Sequence, residues 1–351
     1  MTDGDARNEE FEAAAAPYRR ELFAHCYRMT GSVGDAEDLV QETYLRAWQA
    51  FDRFERRSSM RTWMYRIATN ASLSALSRNR RRALPSGLGA PSDDPAAPVR
   101  QPPDGVTWLE PVPDRLVTGQ LSDPAEIVVA RHSVRLALVA AFALLPPRQR
   151  AALILCDTLY LPASEVAEVM EISVVAVKSL LQRARARIAS AAVSDADLAE
   201  PTDEGARRVL DRYLAAFERS DAEALKRLLA DEAVLEMTGT STWFSGKATC
   251  TRFITAQAIG RPGDWVMLPL LANGQLAAAA YHRGDDEEHH AFAIVVLATT
   301  RTQLRRITLF GDPGLFERFG LPVRFSHERV TRGHLHHPPC GEAAEAAAVG
   351  R

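Results

Sequence analysis

Apolar positions recur with two different periods along the chain, and the change of period divides it. Residues 11–82 read as helices, because glycine and proline are nearly absent after Pro17 except at Gly31 and Gly34. Leu39, Val40, Tyr44, Ala47, Trp48 and Phe51 recur at helical spacing, while Asp38, Gln41, Glu42 and Gln49 occupy the other face. The two glycines mark a turn before that helix, with Asp35 at its N-cap. A further helix is expected to start near Ser58 or Ser59 and run through Arg82. Residues 126–190 return to the helical period, with one helix over roughly 126–145. Pro146 stops it, and Pro147 suits the first position of the next. From residue 204 the rhythm changes. Two helices (ARRVLDRYLAAFERS, DAEALKRLLA) precede strands AVLEMT and STWFSG and a short helix KATCTRFITAQA. Four strand-like runs follow, DWVMLPLLA, QLAAAAYHR, HHAFAIVVLATT and QLRRITLFGD, with a hairpin signal at Asn273-Gly274. Helices followed by a mostly antiparallel sheet predict an α+β domain over 204–325.

Between these segments the periods vanish. Residues 83–125 are rich in Pro, Gly, Ala and Asp and read as a flexible linker, too polar and Pro-broken to pack, although WLEPVPDRL suits local docking. Residues 191–203 read as a second, short linker and 326–351 as an irregular tail. His334, His336, His337 and Cys340 offer four potential ligands within seven residues of that tail. Pro338-Pro339 and the terminal position favour a surface tail, so no metal site is expected. The four cysteines, Cys26, Cys156, Cys250 and Cys340, form neither a CxxC pair nor a disulfide framework, which fits a reducing cytoplasm. The opening MTDGDARNEE has no apolar core of a secretory signal, and no run of 18 apolar residues predicts a membrane span.

Charge alters this picture. The 351 residues suit two or three domains, and 42 basic against 45 acidic side chains leave a net charge of −3. Taken whole, that argues against a polyanion binder. By segment, residues 52–82 carry 9 basic and 2 acidic side chains, and residues 134–190 carry 7 and 4. Residues 1–51 carry 5 and 10, residues 83–133 carry 3 and 7, and residues 191–351 carry 18 and 22. Two basic islands therefore stand in an acidic chain, and local fields steer nucleic acid.

The second island contains a helix-turn-helix pattern at 162–187. Ser164 suits an N-cap and Ala167 a helix crossing, with Val166 and Met170 also inward. Glu171-Ile172-Ser173 forms the turn, with Ile172 buried and Ser173 capping the second helix. Val174, Val177 and Leu181 pack back, leaving Lys178, Ser179, Gln182, Arg183 and Arg185 for a major groove. A solvated helix hairpin is the alternative reading of this spacing. The first island interleaves Arg with Phe54, Trp63 and Tyr65, which suits stacking on single-stranded DNA. The alternative is that Trp63, Ile67 and Leu73 are core, with Arg78, Arg80, Arg81 and Arg82 left as phosphate contacts or as a solvated helix end.

With both islands in view, residues 11–190 resemble a bacterial sigma factor of the extracytoplasmic-function (ECF) group. DAEDLVQETYLRAW is similar to the part of region 2 that docks on polymerase, and MRTWMYRIATNASLSAL to the part that melts and reads the −10 element. LPPRQRAALILCD and LPASEVAEVMEISVVAVKSLLQRAR resemble region 4, which reads the −35 element. The resemblance implies core RNA polymerase and promoter DNA as partners. Asp35, Glu37, Asp38, Gln41 and Glu42 would face the clamp helices of the β′ subunit. Phe54, Arg61, Trp63, Asn70, Ser74 and Arg78 would line the −10 strand, with the 54–59 loop holding a flipped base. Ser173, Lys178, Ser179, Gln182, Arg183 and Arg185 would approach the −35 duplex. The chain departs from the family in having Ser at 72 and 74, and Glu171 where glycine is common at the turn.

Residues 204–325 resemble a SnoaL-like, NTF2-type domain, a curved sheet whose helices close a conical pocket. Such a fusion implies modulation of the sigma factor in cis, through a small ligand or a protein regulator. Tyr213, Glu236, Trp243 and His282 are candidates for the cone. They form no catalytic dyad, and neither an enzyme nor a cofactor is implied. A SnoaL-like isomerase or hydrolase and a one-component helix-turn-helix regulator are the other readings, but neither accounts for both basic islands.

Overall fold

The computed structural model describes residues 3–54, 58–78, 82–119, 121–190 and 197–325. Four helices open it: α1 (Asp3–Ala15), α2 (Arg19–Thr30), α3 (Val33–Ala50) and α4 (Met60–Arg78). Helices α2, α3 and α4 pack on one another around fully buried Leu22, Tyr27, Met29, Met64 and Tyr65. Helix α1 begins upstream of the expected helical segment. It sets Phe11 edge-on against Tyr44 and Phe51, with ring centroids 6.1 and 5.3 Å away. At the α2–α3 corner Gly31 takes φ 73° and gives its N–H to the Tyr27 carbonyl. The N-cap of α3 is Ser32, whose Oγ accepts the Asp35 N–H at 3.1 Å, so Asp35 lies in the first turn and Gly34 inside the helix. Helix α4 starts where expected, with the Ser59 Oγ accepting the Thr62 N–H at 3.0 Å. It does not reach Arg82. Arg82–Ala83 forms strand β1, paired in parallel with β2 (Thr107–Trp108).

The expectation that 83–125 is too polar to pack fails. Leu84, Leu109, Val112 and Val117 are buried, the last in the short helix α5 (Arg115–Thr118). The polar backbone of this strap is satisfied in part by the C-terminal domain. The Ser92 N–H donates to Trp243 O at 2.8 Å, and the Ser241 N–H to Arg100 O at 2.9 Å. A segment without a period packs when a neighbouring element supplies its hydrogen-bond partners.

The single helix expected over 126–145 is two, α6 (Pro124–His132) and α7 (Leu136–Ala143). The break at Ser133 lets its carbonyl and Oγ accept from the buried Arg28 guanidinium at 3.2 and 2.9 Å. Pro147 opens α8 (Pro147–Leu153), which runs into a π-helical turn at Ile154–Thr158. Helices α9 (Ala163–Met170) and α10 (Val174–Ser190) complete the helical half, and α9 leans on α4.

The C-terminal half has α11 (Glu204–Glu218), α12 (Ala222–Leu228), β3 (Leu229–Met237), β4 (Trp243–Ser245) and α13 (Lys247–Phe253). Strands β5 (Trp265–Ala272), β6 (Gln275–Arg283), β7 (His289–Thr299) and β8 (Leu304–Phe310) follow, then α14 (Gly314–Arg318) and β9 (Arg324–Phe325). The sheet order is β4-β3-β8-β7-β6-β5, with β9 added to β7. Only β3–β8 is parallel among its described pairs. Alternation puts Ala277, Ala279, Tyr281, Ile294 and Val296 on one face, in a core shared with both helical segments. Leu276, Ala278, Ala280, Ala293 and Val295 face the other way, against α11 and α13. One sheet thus walls two cores. Among the described residues no helix is long and apolar enough to cross a membrane. Residues His334, His336, His337 and Cys340 lie outside the described residues.

Candidate promoter interface, polymerase face and cone

Helix α10 projects from a turn that the sequence makes awkward. Glu171 closes α9 at φ 53°, ψ 47°, a left-handed conformation that a side chain disfavours. The Ser173 Oγ accepts the Ala176 N–H at 3.2 Å, as its capping role requires. The first helix is capped differently from expectation: Pro162 precedes it, and Ser164 lies within. Val166, Ala167, Met170, Val177 and Leu181 are buried. Val174 instead stays exposed and Ile172 half-buried, so the turn region packs less deeply than its sequence suggests. Ser173, Lys178, Ser179, Gln182, Arg183 and Arg185 are all exposed on α10 and its cap. Arg183 turns its Nε onto the Ser179 carbonyl at 3.2 Å, and Arg185 makes a two-point contact with Asp157 at 2.6 and 2.9 Å.

The −10 candidates on α4 divide. Asn70 is half-buried, and Ser74 and Arg78 are exposed along one ridge at intervals of four. Arg66 extends that ridge one turn earlier and is also exposed; the sequence reading missed it, though its spacing from Asn70 was the available signal. Arg61 is committed to Glu21, its Nε and Nη2 donating at 3.0 and 2.9 Å, and lies over the Tyr65 ring. Trp63 is 6% exposed and stacks on Phe54 with centroids 4.6 Å apart, which makes it core rather than a free platform. Arg80, Arg81 and residues 55–57 of the flipped-base loop lie outside the described residues. Arg82 is engaged by Asp35 at 2.9 Å and Glu110 at 3.3 Å.

The same contact occupies Asp35, one of the candidates for the polymerase face. Glu42 pairs with Arg46 at 2.5 Å. Glu37 meets Arg318 of α14 at 3.4 Å, so the C-terminal domain touches this helix. Asp38 and Gln41 are exposed. Leu45, 56% exposed, and Trp48, 38% exposed, continue their face. The periodicity had put Trp48 inward; instead the Arg7 guanidinium covers its ring at 4.9 Å.

Between the two helical segments sits the β5–β6 hairpin tip. Asn273, fully buried at φ 56°, donates from Nδ2 to the Tyr27 hydroxyl at 2.7 Å and to the Val134 carbonyl at 2.8 Å. Its Oδ1 accepts the Val112 N–H at 3.0 Å. The Gly274 N–H donates to Asp114 at 2.7 Å, and Asp114 holds Arg131 at 3.2 Å. Burial pushes the Asp114 carboxyl up, against the pull of the Gly274 N–H and Arg131. A Cβ at Gly274 would stand 2.5 Å from the Arg131 carbonyl. One asparagine side chain therefore ties α2, the strap and the start of α7 to the appended sheet.

The cone is a cavity of about 280 Å³. Tyr213 and His282 line it, as expected. Glu236 and Trp243 do not. Leu235 and Met237 point into the cone, so period-two alternation turns Glu236 to the opposite face. There its buried carboxylate accepts from Arg306 at 2.8 Å, Thr308 at 3.2 Å and the Ser86 N–H at 3.1 Å. Trp243 donates its Nε1–H to Gly89 O at 2.9 Å. Both residues hold the strap.

A family model for Sigma-70 region 2 matches residues 15–82, and one for Sigma-70 region 4 matches residues 135–188. The chain is 48% identical over 320 residues to the ECF RNA polymerase sigma factor SigG of Mycobacterium tuberculosis, covering 91% of this chain and 85% of the relative. To SigJ of the same organism it is 32% identical over 222 residues, 63% of this chain and 61% of that protein. The crystal structure of SigJ matches with a TM-score of 0.57 at 26% identity, covering 90% of this chain and 99% of that one.

Proposed function

Because the chain belongs to the ECF sigma factors of RNA polymerase, we propose that its appended domain restrains in cis the promoter recognition that the two helical domains perform. The observation that carries this reading is the Asn273-Gly274 tip, which joins α2 to the start of α7 while α9 leans on α4. A sigma factor that reads two separated elements must present both helices at once. A fastening between them favours the closed arrangement over the one that engages DNA. Within this reading Asp38, Gln41, Leu45 and Trp48 meet the β′ clamp helices, and Glu37 is partly occupied by Arg318. Arg66, Asn70, Ser74 and Arg78 follow the −10 strand, while Trp63 and Phe54 shape the wall beside it. Lys178, Ser179, Gln182 and Arg183 approach the −35 duplex, with Ser173 capping and Arg185 released from Asp157 when phosphate is near. The protein works in the cytoplasm, and its relatives are sigma factors rather than enzymes, which supports a cone that binds without catalysis.

Run-off transcription with core polymerase tests the restraint. Asn273→Ala removes three side-chain hydrogen bonds at the junction and is expected to raise transcript yield several-fold at limiting sigma factor. Equal yield from wild type and variant, both folded by circular dichroism, refutes the restraint. A chain that fails to co-purify with core enzyme would refute the assigned polymerase face.

A further inference from the structure

The cone is built for something other than water. Its lining is apolar and includes, among the described residues, no Asp, Glu, Lys or Arg side chain. Its mouth is aromatic: Trp265 stands edge-on to His282 at 4.7 Å and to Phe292 at 5.1 Å. Phe292 keeps 47% of its surface exposed there, a large apolar ring left at the rim of a cavity. Tyr213 also lines the cavity and is only 2% exposed, and no group among the described residues hydrogen-bonds its hydroxyl. Burial also pushes the Tyr213 pKa far up, so the hydroxyl stays a neutral donor. Polar capacity near the mouth is limited to Gln257 and His282.

We propose that this cone binds an uncharged aromatic small molecule, fused-ring in size, whose carbonyl or ether oxygen accepts from the Tyr213 hydroxyl. With no carboxylate, ammonium or guanidinium in the lining, charged ligands are disfavoured, because burying a charge without a strong partner is costly. An apolar cavity of roughly 150 Å³ accommodates benzene, so about 280 Å³ suits two fused rings. The ligand would touch Trp265 and Met267 on β5 and Ala280 on β6, the strands whose shared tip is Asn273-Gly274. Their alternate residues Val266, Leu268, Ala277 and Ala279 lie in the core shared with the helical domains. Regulation by such a ligand rests on the restraint proposed above; binding does not.

The probe is 6-propionyl-2-(dimethylamino)naphthalene, an uncharged two-ring ketone whose emission shifts to the blue when its surroundings become apolar. Titrated with the full chain, it should bind saturably at one site. Tyr213→Phe, which deletes one hydroxyl, should weaken binding at least fivefold. Ala280→Trp, which fills the cone, should abolish it, and the corresponding dimethylamino-naphthoate should bind at least tenfold more weakly than the ketone. Absence of saturable binding overturns the proposal, as does equal affinity for the naphthoate. Equal affinity of wild type and Tyr213→Phe overturns it too, whether or not the tryptophan variant folds. The restraint is judged separately, by Asn273→Ala in transcription without probe.

Discussion

Two side chains show how surroundings decide a residue's role. Arg183 is exposed on α10 and, among the described residues, is bonded only to a backbone carbonyl of its own helix. It can therefore reach a phosphate without giving up an ion pair. Arg183→Ala should weaken promoter binding and lower the slope of log affinity against log salt by about one, measured by fluorescence anisotropy over a salt series. His25 is the opposite case. It is fully buried beside Arg28, Nε2 lies 3.1 Å from the Thr69 hydroxyl, and burial, aided by Arg28, lowers its pKa from 6.5 to about 3. The unfolded chain then binds a proton at His25 that the folded chain refuses. This contribution to stability is full above pH 6.5 and falls away toward pH 3. The slope is at most about 1.4 kcal/mol per pH unit. Urea unfolding between pH 6.5 and 4 should show that loss, and His25→Phe, whose ring does not titrate, should flatten it. The sequence offered Arg183 for DNA but gave no sign of the role of His25. Arg61 and Arg183 look alike in a basic run, and only Glu21, forty residues earlier, separates them.

At the scale of elements, the period of each segment was legible and its phase was not. The hairpin at Asn273-Gly274, the restart at Pro147 and the four long strands stand where the sequence put them. Glu236 and Trp243 were candidates for the cone through the resemblance to a SnoaL-like domain, and strand alternation alone does not say which face is the cone. Here the outer face is buried too, against the strap, and a carboxylate survives there because Arg306, Thr308 and the Ser86 N–H satisfy it. The break between α6 and α7 was equally hidden, because its cause is Arg28 from a distant helix. The turn between α9 and α10 was readable in advance: a glutamate where glycine is common implies a left-handed residue, and Glu171 takes φ 53°. Glu171→Gly removes that strain and should stabilise the full chain by about 1 kcal/mol. Urea unfolding followed by tryptophan fluorescence and circular dichroism should show the midpoint moving up, and an unchanged or lower midpoint would mean that the turn bears no strain.

For the whole molecule, the near-neutral total charge conceals how like-charged domains are held together. Residues 52–82 and 134–190 both carry a basic excess, and the more acidic segment 83–133 passes between them. Arg82 meets Glu110 of that strap, and Arg131 meets its Asp114. The central contacts are different in kind. Arg28 donates to Ser133, Arg150 to the Met29 carbonyl, and Asn273 to Tyr27 and Val134, with these side chains buried. Hydrogen bonds inside a core are screened little by salt, whereas phosphate contacts on an exposed helix are screened strongly. Closure and DNA binding should therefore respond differently to ionic strength. With fluorophores at Ser77→Cys on α4 and Ser190→Cys on α10, the separation should stay constant as salt rises from 50 to 300 mM, while promoter affinity falls steeply. Asn273→Ala should lengthen that separation at every salt concentration. A separation that grows with salt in the wild type would instead assign closure to the strap's ion pairs, and Arg82 with Glu110 would replace Asn273 as the fastening to test.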